Sequence, residues 1–241
     1  MTRPGPEDAM TRSARKEQGR VEILTAAAGL LAKKGYHGMS MRDLAAAAEM
    51  NLANLYNYFS SKDELLFALQ TRAFETLIAA SERAVDGAGD AGERLHAFIL
   101  NHVLFVSEHP DVMRVLVEEA GELPAEHRRV VRRLKERYFA IGHERVQAVL
   151  ADRGAAARRE PDTAAIERAS YGLFGMLNWI YAWYLPRRHG TPQEVARTIH
   201  HTAMGGLANP GTDHHAMALT ERRAGKTRVP SPIALRQRGI A

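Results

Sequence analysis

Ser40-Met41-Arg42-Asp43-Leu44-Ala45-Ala46-Ala47-Ala48-Glu49-Met50-Asn51-Leu52-Ala53-Asn54-Leu55-Tyr56-Asn57-Tyr58-Phe59 is the stretch on which the reading of this chain turns. Ser40 is a good N-cap, with Asp43 at the third helical position to complete a capping pair. Leu44, Ala47 and Ala48 supply a buried stripe for a short helix. Glu49-Met50 break that helix, and Asn51 can cap a second one running to about Tyr58. Two short helices joined by a tight turn form a helix-turn-helix, whose second helix enters the major groove of DNA.

Helical spacing puts Leu55 and Phe59 on the packing face of that second helix and turns Leu52, Ala53, Asn54 and Asn57 outward. Asparagine can pair two-pronged with adenine, and leucine or alanine can touch a thymine methyl. Tyr56, Tyr58, Arg42 and Lys62 are placed to reach phosphates, as are the helix N-termini at Ser40 and Asn51. The candidate DNA-contact set is therefore Ser40, Arg42, Asn51, Leu52, Ala53, Asn54, Tyr56, Asn57, Tyr58 and Lys62. Upstream, Ile23, Ala27, Leu30 and Leu31 fall on one face of a helix over 18–34 that Gly35 terminates. Downstream, Ser60-Ser61 cap a long helix from about Lys62 to Ala84, with Asp63 and Glu64 in its dipole-favoured first turn.

Residues 21–66 resemble the DNA-binding domain of the TetR family of transcriptional regulators. The matching pieces are Ala27-Ala28-Gly29-Leu30-Leu31 with Lys34-Gly35-Tyr36, then Ser40-Met41-Arg42-Asp43-Leu44-Ala45. Leu55-Tyr56-Asn57-Tyr58-Phe59 and Ser61-Lys62-Asp63-Glu64-Leu65-Leu66 complete the set. The resemblance implies an all-helical homodimer that binds a palindromic operator, usually represses, and holds a small-molecule effector in its C-terminal domain. Two features depart from the family's pattern. The inter-helix turn often carries glycine in the family and carries Glu49 here. The start of the recognition helix often carries a lysine or arginine, and positions 51–54 are uncharged. A basic arm with Arg12, Arg15, Lys16 and Arg20 reads either as a source of added backbone or minor-groove contacts or as a solvated, disordered leader.

Further helices are expected over 92–108, 110–121, 124–153, 162–185 and 191–206. The fold class is thus all-α, since no run alternates as a strand would. The expected domains are a flexible arm over 1–17, the helix-turn-helix domain over 18–62, a ligand-binding and dimerisation domain over 63–207, and a disordered polar tail over 208–241. Gly175 to Pro186 is apolar nearly all round, so both its own domain and a partner subunit are expected to cover it. Its Gly-x-x-Asn-Trp-x-x-x-Trp-Tyr-x-Pro pattern resembles a TetR subgroup that senses acyl-CoA thioesters in fatty-acid and steroid catabolism. The expected effector is accordingly an acyl-CoA, with a hydrophobic drug or another small metabolite as the alternative. Candidate ligand contacts are His102, Phe105, Arg114, Tyr138, Phe174, Asn178, Trp179 and Trp183. Trp179 and Trp183 lie one turn apart and could stack on an adenine, line an acyl channel, or pack in the core or an interface. Phe98 is a further possible pocket residue. The run from His127 to Lys135 reads as a solvated basic face or as an anion patch for a CoA-like ligand.

The 241 residues include no cysteine, which excludes disulfide scaffolds, zinc ribbons, iron–sulfur clusters and thiol nucleophiles. A hydrophobic share of 45% against 25% charged is globular composition. The net charge of +5 is uneven: residues 1–62 hold nine basic and six acidic side chains, while 63–206 hold 18 and 20. A basic N-terminal region suits a nucleic-acid partner. No secretory leader is read at the N-terminus, and the longest uncharged apolar run, Ala169 to Leu185, is 17 residues, short of a bilayer span. A cytoplasmic location is expected, with no membrane partner. Gly87-x-Gly89-x-x-Gly92 matches a dinucleotide fingerprint only as a string, because it follows a helix rather than a strand. Gly225-Lys226-Thr227 lacks the upstream glycine of a phosphate loop. His200-His201 and Asp213-His214-His215 lack ligand geometry for a metal. No nucleophile, base and orienting group can be assembled, so neither an enzyme nor a cofactor is expected, and the chain has no catalytic or metal-ligating residues to name.

Overall fold

The structure is a computed structural model, and it describes residues 6–83, 89–156 and 162–208. Within them the chain forms α1 (Pro6–Gly38), α2 (Met41–Ala47), α3 (Leu52–Tyr56), α4 (Lys62–Arg83), α5 (Ala91–Glu108) and α6 (Pro110–Glu118). It continues through α7 (Ala125–Ala156), α8 (Thr163–Asn178), α9 (Ile180–Trp183), α10 (Pro186–His189) and α11 (Pro192–Ala208). The described residues contain no strand, and no helix among them is long and apolar enough to cross a membrane.

Helix α1 starts earlier than its apolar periodicity suggests. It opens on Pro6 with Glu7 and Asp8 in its first turn, a combination that suits a helix start. Residues 6–17 of the expected flexible arm are therefore helical, and residues 1–5 lie outside the described set. The regular part of α1 ends at Gly35, which adopts φ 70° and ψ 169°, a region open to glycine. Tyr36 and Met39 then turn back into the core.

α1, α2 and α3 close around Ile23, Ala27, Leu31, Leu44, Leu55 and Phe59, all buried. Leu55 and Phe59 are fully enclosed, and each contributes roughly 2 kcal/mol by leaving water. On α2 the second buried position is Ala45; Ala47, expected on the inner stripe, is exposed. With only seven residues, α2 presents a narrow face, and Ala45 beside Leu44 fills it.

α4 carries this unit into a helical body, packing most extensively against α7, while α5 and α8 lie against α7 in turn. α6 bridges the two parts, with α1 on one side and α4, α5 and α9 on others. Its C-terminal end forms a latch. The Glu119 carboxylate accepts from the Tyr36 amide at 3.2 Å, and the Glu119 carbonyl accepts from Gln70 Nε2 at 3.2 Å. His37 meets Glu122 at 2.8 Å. The single helix expected over 162–185 is interrupted: Trp179 ends α8 and precedes α9. The turn lets Ile180 insert into the core while Trp179 stays outside. The tail from 209 onward, including Asp213-His214-His215 and Gly225-Lys226-Thr227, lies outside the described residues, as do 84–88 of the glycine-rich connection. α5 is started by a capping box in which Asp90 and Glu93 exchange hydrogen bonds.

Candidate functional site

Ser40 and Asp43 form a capping box at the start of α2, and Lys34 joins it at 2.9 Å from the Asp43 carboxylate. Hydrogen bonds from Ser40, then from Lys34, hold the Asp43 carboxyl well below the usual carboxylate range. The turn that follows carries Glu49 at φ 52°, among the described residues the sole non-glycine at positive φ. Asn51 caps α3, its side-chain oxygen accepting the Asn54 amide at 2.7 Å. α3 is shorter than its sequence suggests: Asn57 already caps it and Tyr58 lies in the following turn.

Ala53, Asn54, Tyr56 and Asn57 are exposed, Leu52 is half-buried, and Leu55 points inward. Arg42 is exposed on α2. These six outward residues (Arg42, Leu52, Ala53, Asn54, Tyr56, Asn57) form the contiguous polar and small-residue surface of the head. The remaining candidates do other work. Ser40 and Asn51 spend side-chain oxygens on caps. Tyr58 is half-buried, and its hydroxyl lies where a Cβ on Gly19 would come within 2.8 Å, so it packs back against α1. Lys62, expected to reach a phosphate, donates to the carbonyls of Tyr36 at 2.8 Å and Met39 at 3.1 Å and lies 4.2 Å from the Tyr36 ring centroid. Two of its three donors are therefore spent on the chain reversal after α1.

Arg20, by its charge a member of the basic arm, has a different role. Its guanidinium sits 4.4 Å over the Phe59 ring and donates to the Tyr58 carbonyl at 3.3 Å, so it braces the end of the recognition helix. No spacing rule links residues 38 positions apart, which is why the sequence alone misses this role. The same holds for Tyr36, whose hydroxyl donates to the Asp63 carboxylate; burial and that bond push the phenol above its ordinary range. Arg15 and Lys16 are exposed, and the side chain of Arg12 lies outside the described set.

The ligand candidates do not form one site. His102, Tyr138 and Phe174 converge with Phe98 in the interior of the C-terminal body, with ring centroids 5.3–5.9 Å apart. Gly142 permits this: a Cβ there would lie 2.7 Å from Phe174 and 2.9 Å from Phe98. His102 is 1% exposed; its Nδ1 meets the Tyr138 hydroxyl at 2.9 Å, and the Leu177 backbone lies within reach of the ring. Burial lowers its pKa to about 4, so the ring is neutral at physiological pH. Phe105 pairs instead with His109, and Arg114 lies 5.7 Å from the Tyr181 ring centroid.

Trp179 and Trp183 are 59% and 40% exposed, so they line no interior channel. They sit outside, on a concave surface of about 540 Å³ shared with Gly172, Gly175, Ile199 and Thr202 of α8 and α11. Asn178 is half-buried at the end of α8. A Cβ on Gly172, Gly175, Gly205 or Gly206 would meet nothing within 4 Å, so this face is open and low-relief. Arg128, Arg129, Arg132 and Arg133 are all exposed on α7, and Arg132 pairs with Glu136 at 3.5 Å. His200 Nε2 donates to the Gly92 carbonyl, 3.1 Å away, and its ring meets His96.

Residues 23–69 match the family described as bacterial regulatory proteins, tetR family, and residues 88–207 match a tetracyclin repressor-like C-terminal domain. The chain is 30% identical to a TetR family transcriptional regulator, PfmR of Thermus thermophilus, with a TM-score of 0.66, covering 77% of this chain and 98% of that one. It superposes on AibR, crystallised with isovaleryl coenzyme A and operator DNA, with a TM-score of 0.65 and 25% identity over 76% of this chain and 97% of AibR. It is 33% identical over 93 residues to the transcriptional repressor KstR of Mycolicibacterium smegmatis, covering 39% of this chain and 45% of KstR. The chain spans about half the length of the curated relatives it matches.

Proposed function

The chain belongs to the TetR family of transcriptional regulators, and on that premise we propose that it is a homodimeric repressor of a palindromic operator, released when an acyl-CoA thioester enters its C-terminal body. The observation that carries the reading is the braced α3: Leu55 and Phe59 anchor it while Ala53, Asn54, Tyr56 and Asn57 face solvent. Asn54 is the residue assigned to a base edge, because Asn51 is committed to the cap. Arg42 and the N-terminal amides of α2 and α3 serve phosphates. The exposed α8–α11 face, with Trp179 and Trp183 and its open glycines, is assigned to a second copy of the chain. Two-fold symmetry then matches half-sites about one helical turn apart.

The effector site is assigned to the interior aromatic group around His102, a buried neutral imidazole set against the Tyr138 hydroxyl. A ligand that parts α5 from α7 and α8 has a route to the head. α6 contacts α5 and α9, with Tyr181 donating to Glu118 at 3.3 Å, and its end is latched to α1 through Glu119. Displacing that latch changes the separation of the two heads. A coupling of ~1–3 kcal/mol lowers operator affinity about 5- to 150-fold. AibR, in complex with isovaleryl coenzyme A, supports an acyl-CoA as the effector class, and the KstR repressors support repression.

The test is competition on a labelled duplex from the intergenic region beside the gene. Acyl-CoA thioesters are expected to release the protein while the corresponding free acids do not. Equal release by both, or by neither, removes the thioester from the proposal.

A further inference from the structure

α3 is five residues long, Leu52–Tyr56, too short to hold its own shape or direction in water. Its attitude on the head is set from outside. Asn51 caps its start, and Leu55 and Phe59 carry its underside into the core. Tyr58 and Phe59 both donate their amides to the Leu55 carbonyl, at 3.0 and 3.1 Å, so the chain folds back tightly as it leaves the helix. This far end is held by α1. The Tyr58 carbonyl accepts from Arg20 at 3.3 Å, and the Arg20 guanidinium lies 4.4 Å from the Phe59 ring centroid. Gly19 leaves room for the Tyr58 hydroxyl, which a Cβ there would approach to 2.8 Å. Two successive α1 positions thus meet one residue at the end of the recognition unit, by its backbone and by its ring.

The charge of Arg20 is already answered within the chain. The Glu64 carboxylate faces it from α4, and the side chain is half-buried against an aromatic ring. Arg15 and Lys16, by contrast, are exposed. A planar guanidinium can stack on a ring and donate in its own plane at once, so Arg20 is suited to holding its neighbours rather than to meeting a phosphate. Asn57, on the outward face, is joined directly to Tyr58, and Asn54 lies one turn earlier. A shift of the Tyr58 carbonyl therefore pivots α3 about the buried Leu55 and moves both asparagines.

We propose that Arg20 is a positioning residue for DNA reading: it fixes the tilt of α3 in the groove, and so the reach of Asn54 and Asn57 to base edges, without touching DNA itself. The inference rests on the reading of α3 as the element that reads DNA.

The test is binding of the full chain, Arg20→Met and Arg20→Lys to the labelled intergenic duplex and to a shuffled duplex, each over a series of salt concentrations. Circular dichroism checks that each chain is folded at the assay temperature. Methionine keeps an apolar stem over Phe59 but has no donor. Lysine keeps the charge but cannot lie flat on the ring while donating to Tyr58. Arg20→Met is expected to bind the natural duplex about tenfold more weakly and the shuffled one within about twofold of the parent, with the salt dependence unchanged. Arg20→Lys should fall between the parent and Arg20→Met on the natural duplex. A lost phosphate contact would instead weaken both duplexes alike and lower the log–log salt slope by about 0.9 per contact. That result, full recovery by lysine, or parental discrimination in Arg20→Met overturns the proposal. Equal binding of the two duplexes by the parent chain would remove the DNA-reading role of α3 and this proposal with it, whereas a discriminating parent beside an equally discriminating Arg20→Met removes this proposal alone.

Discussion

Glu49 holds a left-handed conformation, φ 52°, in the turn between α2 and α3, with its amide bonded to the Ala46 carbonyl at 3.2 Å. A side chain there costs roughly 1–2 kcal/mol relative to glycine, offset in part by the extra unfolded-state freedom glycine brings. Glu49→Gly should therefore stabilise the chain by up to about 1 kcal/mol, a midpoint rise of about 2–4 °C in calorimetry. A fall would show that the Glu49 side chain contributes more than its backbone strain costs. His102 gives a pH signature. Its folded pKa, about 4, lies below the value of an unfolded histidine, so the unfolded chain binds the extra proton first. Its contribution is fully present above pH ~6.5 and is lost as pH falls toward ~4, by up to roughly 3 kcal/mol. Denaturant titrations at pH 7 and pH 4.5 should show a smaller stability loss in His102→Leu than in the parent chain. Equal losses would place the acid sensitivity elsewhere. At this scale the sequence is uneven. Caps and packing residues such as Ser40, Asn51 and Leu55 are local and legible. Arg20, Lys62 and Tyr36 act across tens of residues, and their partners emerge only when the chain closes.

The elements differ in how well a period describes them. α4 starts where its cap predicts, with Ser61 Oγ accepting the Glu64 amide, whereas α2 keeps its capping box but takes Ala45 rather than Ala47 inside. α3 stops at Tyr56, before its predicted end, since Phe59 must turn into the core beneath Arg20. α8 and α9 part at Trp179 because one straight helix would carry the tryptophans and Ile180 on a continuous surface. The break lets Ile180 go inside and leaves Trp179 and Trp183 outside. A periodicity reading sees only that this stretch is apolar on every side, not which residues each neighbour takes. The proposed function places both tryptophans at an interface between two copies, and that placement carries a prediction. Trp183→Arg should leave helical content unchanged while shifting sedimentation from dimer toward monomer and weakening operator binding at least tenfold. A stable dimer in that variant would detach the tryptophans from the interface.

At the scale of the whole molecule, the head and the C-terminal body share one continuous core, with α4 running through both, α6 packed along α1, and Glu119 latched to the end of α1. On the proposed function, α6 is the element that passes a change around α5 and α9 to the head. The all-helical architecture was legible from periods and breaks. The latch was not, because Glu119 lies 83 residues from Tyr36 and nothing in either segment names the other. The basic face of α7 was readable as charge, and its exposure fits a solvated surface.

The most direct measurement is fluorescence anisotropy of the upstream intergenic duplex, titrated with the parent chain, Asn54→Ala and Asn51→Ala, alongside a shuffled duplex. The parent should prefer the natural duplex strongly. Asn54→Ala should lose most of that preference, by about 1–3 kcal/mol, with folding stability unchanged. Asn51→Ala should lower stability by about 1 kcal/mol through its lost cap. Equal binding of the parent chain to natural and shuffled duplexes, or full discrimination by Asn54→Ala, would contradict the assignment of α3 as the element that reads DNA.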